Sequence, residues 1–191
     1  MTLNHYLREV SELLVQTAKG ELEKPVDATI ETLVRVINDG KPVLVCGNGG
    51  SAADAMHIAG ELVGRYLLDR PAYKVISLGS DPAITTAWSN DFGYETLFAR
   101  QVDGLGENGG ALWCLSTSGN SENVVSAAAA AKDRGMTTIA FTGRGGGKLA
   151  NSDILVAVPS ESTARIQEVH TCLYHYVCER VEYLLTSLAE R

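Results

Sequence analysis

Two of the histidines stand where they could do chemistry. His57 and Glu61 are four residues apart, so on a helix they share one face about 6 Å apart. A carboxylate beside an imidazole can exchange protons with a substrate, and two such donors can also begin a metal site. The same pair serves equally as an ordinary hydrogen bond on a helix surface. A second polar cluster, Gln167, Glu168, His170 and His175, interrupts an otherwise apolar run. Gln167 and His175 are eight residues apart, roughly 12 Å of rise and about 80° of rotation on an ideal helix. They meet at one point only if both side chains reach inward along the helix; otherwise another chain supplies one of them. A histidine on such a helix is also a common satisfied core residue.

Two loops have the composition of an anion cradle. Ser116, Thr117, Ser118 and Ser121 put four hydroxyls into six residues, with Gly119 among them. Gly47, Gly49 and Gly50 precede Ser51 in the other loop. Backbone N–H groups at a helix N-terminus, with the positive end of the helix dipole, attract a phosphate. Neither loop has the Gly-x-x-x-x-Gly-Lys-Ser/Thr of a nucleotide P-loop, and the first lacks the Gly-x-Gly-x-x-Gly register of a dinucleotide site. Hydroxyl and amide donors without a loop lysine suit a phosphate monoester better than a triphosphate. The alternative is that these residues only build turns and N-caps. Arg144-Gly145-Gly146-Gly147-Lys148 is also glycine-rich and cationic, but it reads as a flexible exposed turn.

The elements around these residues follow from hydrophobic spacing. Residues 2–39 read as helix, broken at Gly20–Pro25 because Pro25 is tolerated in a first turn but not deep inside one helix. Short apolar runs follow: Pro42–Cys46, Tyr73–Leu78, Ala111–Leu115, Thr137–Phe141 and Ile154–Val158. Helices follow the first run, to about Arg65, and the third, to Gly135. Nearly continuous apolar strands alternating with helices require a parallel sheet covered on both faces. A final helix from Ser162 to about Leu188 carries Ile166, Val169, Leu173, Val177, Val181, Leu184 and Leu188 on one stripe. The expected fold is a three-layer α/β/α sandwich with a five-stranded parallel sheet and helices at both ends. No linker divides it: residues 1–39 form a helical extension, 40–160 the core and 161–191 the last helix. The terminal helices either cover the sheet or pack against another copy.

The chain has 191 residues and a formal charge of −7. That acidic balance argues against a nucleic-acid partner, which normally meets a basic face. No apolar stretch approaches the roughly 20 residues of a membrane span, and the first residues lack the basic and apolar regions of a signal peptide. Cys46, Cys114, Cys172 and Cys178 lie in apolar segments without a Cys-x-x-Cys spacing, as expected of buried reduced thiols in a cytoplasmic protein.

Gly47-Asn48-Gly49-Gly50-Ser51-Ala52-Ala53-Asp54-Ala55, followed by Met56-His57-Ile58-Ala59-Gly60-Glu61-Leu62, resembles the first signature of the sedoheptulose 7-phosphate isomerases. Asn90-Asp91-Phe92-Gly93-Tyr94, Ser116–Ser121 and Arg165-Ile166-Gln167-Glu168 fit the same family in order. The resemblance covers nearly the whole chain, although the Ser-Thr-Ser-Gly loop alone marks only the wider sugar isomerase (SIS) domain superfamily. It implies a flavodoxin-like subunit in a homotetramer with active sites at subunit interfaces, acting on a sugar phosphate. Asn48, Gly49, Gly50, Ser51, Asn90, Asp91, Ser116, Thr117, Ser118 and Ser121 would then contact the substrate. His57, Glu61, Gln167 and His175 would form a zinc site, with Glu61 and His175 as the acid–base pair, and Glu61 and Gln167 would also face the sugar. A non-catalytic relative, the DnaA initiator-associating protein, has a similar fold and is the alternative. It does not keep the acid–base residue types at the positions of Glu61 and His175.

Overall fold

The computed structural model describes residues 1–189. The order is α1 (Leu3–Lys19), α2 (Glu23–Asn38), β1 (Val43–Gly47), α3 (Gly50–Val63), β2 (Val75–Ser77), α4 (Pro82–Phe92), α5 (Leu97–Leu105), β3 (Ala111–Ser116), α6 (Glu122–Asp133), β4 (Thr137–Thr142), β5 (Ile154–Ala157) and α7 (Thr163–Ala189). The predicted last helix thus holds, apart from residues 190–191, which lie outside the described residues. The break between α1 and α2 falls at Gly20, and Pro25 lies in the first turn of α2. Residues 79–110 have no predicted element, and the structure fills them with α4 and α5. The usable signals were local: Asp81 caps α4 through the N–H groups of Ala83 and Ile84, Pro82 opens it, and Leu97, Phe98 and Val102 form the buried stripe of α5.

The strands pair in parallel in the order β2-β1-β3-β4-β5. β1 and β3 are buried along their whole length, which explains their unbroken apolar sequence. Alternate side chains serve two cores. Val43, Val45, Trp113, Leu115 and Phe141 pack under α2, α3 and α7, while Leu44, Cys46, Leu112, Cys114 and Ala140 pack under α5 and α6. Each fully buried Val or Leu of this kind contributes about 1.5–3 kcal/mol. β2 is shorter than the predicted Tyr73–Leu78 because Tyr73 leaves the ladder: its N–H reaches the Leu62 carbonyl, and the Arg70 guanidinium lies 4.0 Å from its ring centre. Three of the four cysteines are buried, but Cys172 is exposed, contrary to expectation.

α3 and α7 run side by side in the same direction. Gln167 lies beside Gly50, Tyr174 beside Asp54 and His57, and Glu182 beyond the end of α3. There Glu182 is 1 % exposed and its carboxylate accepts from the N–H groups of Tyr66, Leu67 and Leu68 at 2.7–2.9 Å. Arg70, itself buried, donates to the same carboxylate at 3.1 Å and to the carbonyls of Glu61, Leu62 and Gly64. Burial pushes the Glu182 carboxyl up, but these backbone donors and the arginine charge outweigh it and hold its pKa below the ordinary value. The clamp fixes the C-terminal end of α3, and with it Glu61.

Candidate active site

In an open parallel sheet, ligands bind beyond the carboxyl ends of the strands, where the strand order reverses. Here that point lies between β1 and β3, and the two predicted anion loops follow these two strands. They are joined directly. The Asn48 amide donates to Asn123 Oδ1 at 2.8 Å, the Asn123 amide returns the bond to Asn48 Oδ1 at 2.9 Å, and the Tyr94 hydroxyl reaches the same Asn48 oxygen at 2.9 Å. Asn123 and Tyr94 were not legible as site residues: one reads as part of a helix start, the other only as a neighbour of Asn90 and Asp91.

Gly49 turns the chain into α3 with φ 57°, a left-handed conformation that favours glycine. Gly50 and Gly49 are exposed at the helix start, while Ser51 is buried beneath them. In the second loop, Ser116 is buried and its hydroxyl lies 3.2 Å from that of Ser121. Ser121 occupies the N-cap position of α6 yet makes no side-chain cap bond, so its hydroxyl is not spent in the way the turn-and-cap alternative requires. Ser118 does serve the turn, accepting from the Asn120 N–H at 3.1 Å, and Thr117 is half-buried with its carbonyl bonded to the Gly143 N–H.

The Arg144–Lys148 segment is exposed at Arg144, Gly145, Gly147 and Lys148, as expected of a turn, but its backbone is tied down. Gly146 is buried, the Lys148 N–H bonds to Asn120 Oδ1 at 3.0 Å, and the Leu149 N–H bonds to the Gly119 carbonyl at 3.1 Å. Gly119, with φ 65°, lies so close to the Gly146 carbonyl that any Cβ there would collide with it. Such backbone contact is invisible to a reading that scores each loop alone.

One turn after another, α3 then carries Asp54, His57 and Glu61 along the face that meets α7. His57 Nε2 and Glu61 Oε1 are 3.0 Å apart, and His175 joins them. Each of the three offers one ligand atom, and these atoms all lie within 4.8 Å of one another. His57 is half exposed and Glu61 about a fifth exposed, so the group is open to a ligand. A single chain therefore brings Glu61 and His175 together. Gln167 stands elsewhere on the seam, with its amide against Gly50, seven residues or about 10 Å of helix rise before His57.

The rest of the predicted polar cluster on α7 disperses. Glu168 accepts from the Tyr6 hydroxyl at 2.7 Å and pairs with Arg165 at 3.0 Å. His170 is fully buried against Phe141, bonds to the Thr142 carbonyl at 3.2 Å, and is held neutral by burial, its pKa pulled down to about 4. Asn90 and Asp91 are exposed on α4, and the Asn90 amide donates to Asp91 at 2.8 Å.

Tyr174, which reads in sequence as part of an apolar stripe, is 1 % exposed and places its hydroxyl 2.9 Å from His57 Nδ1 and 3.4 Å from Asp54 Oδ1. Burial is the main cause that raises its pKa to about 12. Burial also raises the Asp54 carboxyl, against the opposing pull of the Tyr174 hydrogen bond and the nearby histidines.

Two imidazoles and a carboxylate converging with an open side are a donor set that suits a divalent metal of the zinc type, whose catalytic sites commonly use three protein ligands and leave a position free. The same groups can also pass protons between adjacent carbon and oxygen atoms. Among the described residues, no helix is long and apolar enough to cross a membrane.

Residues 5–143 match the SIS domain family. The chain is 50% identical over 158 residues to a phosphoheptose isomerase of Akkermansia muciniphila, covering 80% of this chain and 84% of that one. It superposes on the structure of a phosphoheptose isomerase from Neisseria gonorrhoeae with a TM-score of 0.89 and 38% identity, covering 95% of this chain and 97% of the other. A phosphoheptose isomerase from Francisella tularensis gives a TM-score of 0.91 at 35% identity, over 96% and 100% of the two chains. With its signature loops and its histidine–carboxylate group in the positions described, the chain belongs to the phosphoheptose isomerases of the SIS domain family.

Proposed function

We propose that the protein interconverts sedoheptulose 7-phosphate and D-glycero-D-manno-heptose 7-phosphate, an aldose–ketose isomerisation that opens the route to nucleotide-activated heptose. The observation that carries this reading is the convergence of the Glu61 carboxylate with the His175 imidazole on an open face, reached along α3 from an anion cradle at its N-terminus. A purely binding role, as in the non-catalytic relative, leaves that convergence without a purpose.

The phosphate rests among Ser51, Ser116, Thr117, Ser118 and Ser121, with Asn48, Gly49 and Gly50 lining the sugar's path and Asn90 and Asp91 reaching it from α4. Glu61 takes a proton from C1 of the ketose as the C2 carbonyl oxygen accepts one from His175, giving the enediol. His175 then removes the proton from the C1 hydroxyl while Glu61 returns its proton to C2, so one carboxylate serves both carbons. Zinc held by His57, Glu61 and His175 would polarise the carbonyl and stabilise negative charge on the neighbouring oxygens. Gln167 serves the sugar from its place beside Gly50.

The whole chain, residues 1–191, acts as one SIS domain in a cytoplasmic homotetramer, with no nucleic-acid or membrane partner. Two features support assembly. α4 has no buried residue, and Leu3, Leu7 and Val15 of α1 are exposed in the single chain. Unpaired cysteines fit a reducing compartment. Incubating purified protein with sedoheptulose 7-phosphate, with and without chelator, tests the reading: aldose 7-phosphate should accumulate to an equilibrium mixture. An intact oligomer that leaves the ketose unchanged after zinc has been restored would refute it.

A further inference from the structure

We infer that Tyr94 is a positioning residue for the sugar: with Asn123 it holds the Asn48 amide so that Asn48 meets a ligand only as a hydrogen-bond donor. This rests on the proposed binding of the sugar phosphate beside Asn48, and it extends that reading to two residues with no part in the scheme above.

One backbone group decides the direction of every bond among the three side chains. The Val124 N–H, which can only donate, is shared between the Ser121 carbonyl at 3.1 Å and Asn123 Oδ1 at 3.0 Å. The Asn123 atom beside it is therefore the amide oxygen and not the nitrogen. The Asn48 nitrogen then donates to that oxygen at 2.8 Å, and the Asn123 nitrogen donates back to Asn48 Oδ1 at 2.9 Å. Turning over either amide alone would set nitrogen against nitrogen and oxygen against oxygen. Turning over both would set the Asn123 nitrogen against the Val124 N–H. An amide oxygen has two lone pairs; Asn48 Oδ1 gives one to Asn123 and the other to the Tyr94 hydroxyl at 2.9 Å. Asn48 is left with one unspent N–H.

The three side chains come from separate segments. Asn48 follows β1, buried Asn123 lies in the first turn of α6 two residues after Ser121, and exposed Tyr94 comes three residues after Asp91. They tie a neighbour of the anion cradle to a neighbour of the α4 residues proposed to reach the sugar. The Tyr94 ring is steadied by the buried ring of Phe98, tilted against it at 6.5 Å. The free N–H suits a carbonyl or hydroxyl oxygen of the sugar, since both accept. Without the Tyr94 hydroxyl, Asn48 Oδ1 has an open lone pair and one fewer bond holding it. The amide is then less fixed before the sugar arrives, and ordering it on binding weakens affinity.

The test measures binding of sedoheptulose 7-phosphate by calorimetry on the full chain carrying Glu61→Gln, so that no turnover enters, with inorganic phosphate as the second ligand. Tyr94→Phe keeps the ring and removes only the hydroxyl. It should weaken ketose binding about three- to tenfold, the range of one neutral hydrogen bond. Phosphate binding should stay unchanged, and the variant should melt within a few degrees of its parent. Asn48→Ala removes the donor itself and should weaken ketose binding at least as much. Adding Tyr94→Phe to Asn48→Ala should then cost nothing further, because a residue that acts through another has no effect once that other is gone. Full ketose affinity in Tyr94→Phe overturns the inference, as does an equal loss of phosphate affinity or an additive loss in the double variant. Turnover by the chain with Glu61 in place is a separate measurement. Ketose binding with this pattern but without isomerisation sinks the proposed function alone, and isomerisation without the pattern sinks this inference alone.

Discussion

Two polar clusters share the seam between α3 and α7, and they are built on opposite terms. At the far end, Glu182 and Arg70 are buried, and the Glu182 carboxylate is met by three backbone N–H groups and the guanidinium. Two turns back along α7, His57, Glu61 and His175 crowd their donor atoms together while remaining partly open to solvent. Removing a buried charge from water costs several kcal/mol, and only complete pairing offsets it. The Glu182 cluster meets that condition and so holds structure. The Glu61 cluster spends little of its capacity on the protein itself, and an open, incompletely satisfied group is what a reacting molecule can use. Side-chain chemistry is similar in the two places; burial and satisfaction separate their roles.

The sharpest break of this comparison comes from Glu61→Gln and His175→Ala. Each should lower isomerisation about 10²–10⁴-fold while thermal unfolding stays within a few degrees of the unaltered chain. Full activity in either folded variant would remove it from the acid–base pair. Next comes Glu182→Ala, which leaves the Arg70 charge buried without its partner and should cost about 3–5 kcal/mol of stability in chemical denaturation. Because the folded-state pKa of Glu182 is depressed, its contribution is present at neutral pH and is lost as pH falls through that depressed value. The unaltered chain should therefore lose stability there and the variant less so. A variant as stable as the parent would show that the clamp is ornamental. The smallest effect belongs to the cradle. Ser121→Ala removes one hydroxyl donor to a charged phosphate, worth about 1.5–3 kcal/mol, and should raise KM at least tenfold with little change in kcat. An unchanged KM would move the phosphate elsewhere.

Much of the scaffold was legible. The apolar runs at Val43–Cys46 and Ala111–Leu115 announced buried strands, and Pro25 and Gly20 announced the break between the first two helices. Less visible was everything set by contacts between distant backbones. The Arg144–Lys148 loop looked free because its glycines suit any turn, yet it braces Gly119. His170 and His175 looked like members of one cluster because they are close in sequence. A difference of five positions turns the first into the core against Thr142 and the second toward α3. Tyr174 looked like core because its ring is core; only its hydroxyl belongs to the site.

By itself, the order of residues determined the period of each element, the glycine and hydroxyl content of the two loops, and the spacing that puts His57 beside Glu61. These are local properties, governed by backbone sterics and by which face of a helix or strand is apolar. Which distant side chains meet was decided by the tertiary structure. The β2-β1-β3-β4-β5 order set the two loops together, and the packing of α7 along α3 carried His175 to Glu61 and Gln167 to Gly50. Such meetings depend on how whole faces are buried against one another, a property that no window of sequence contains.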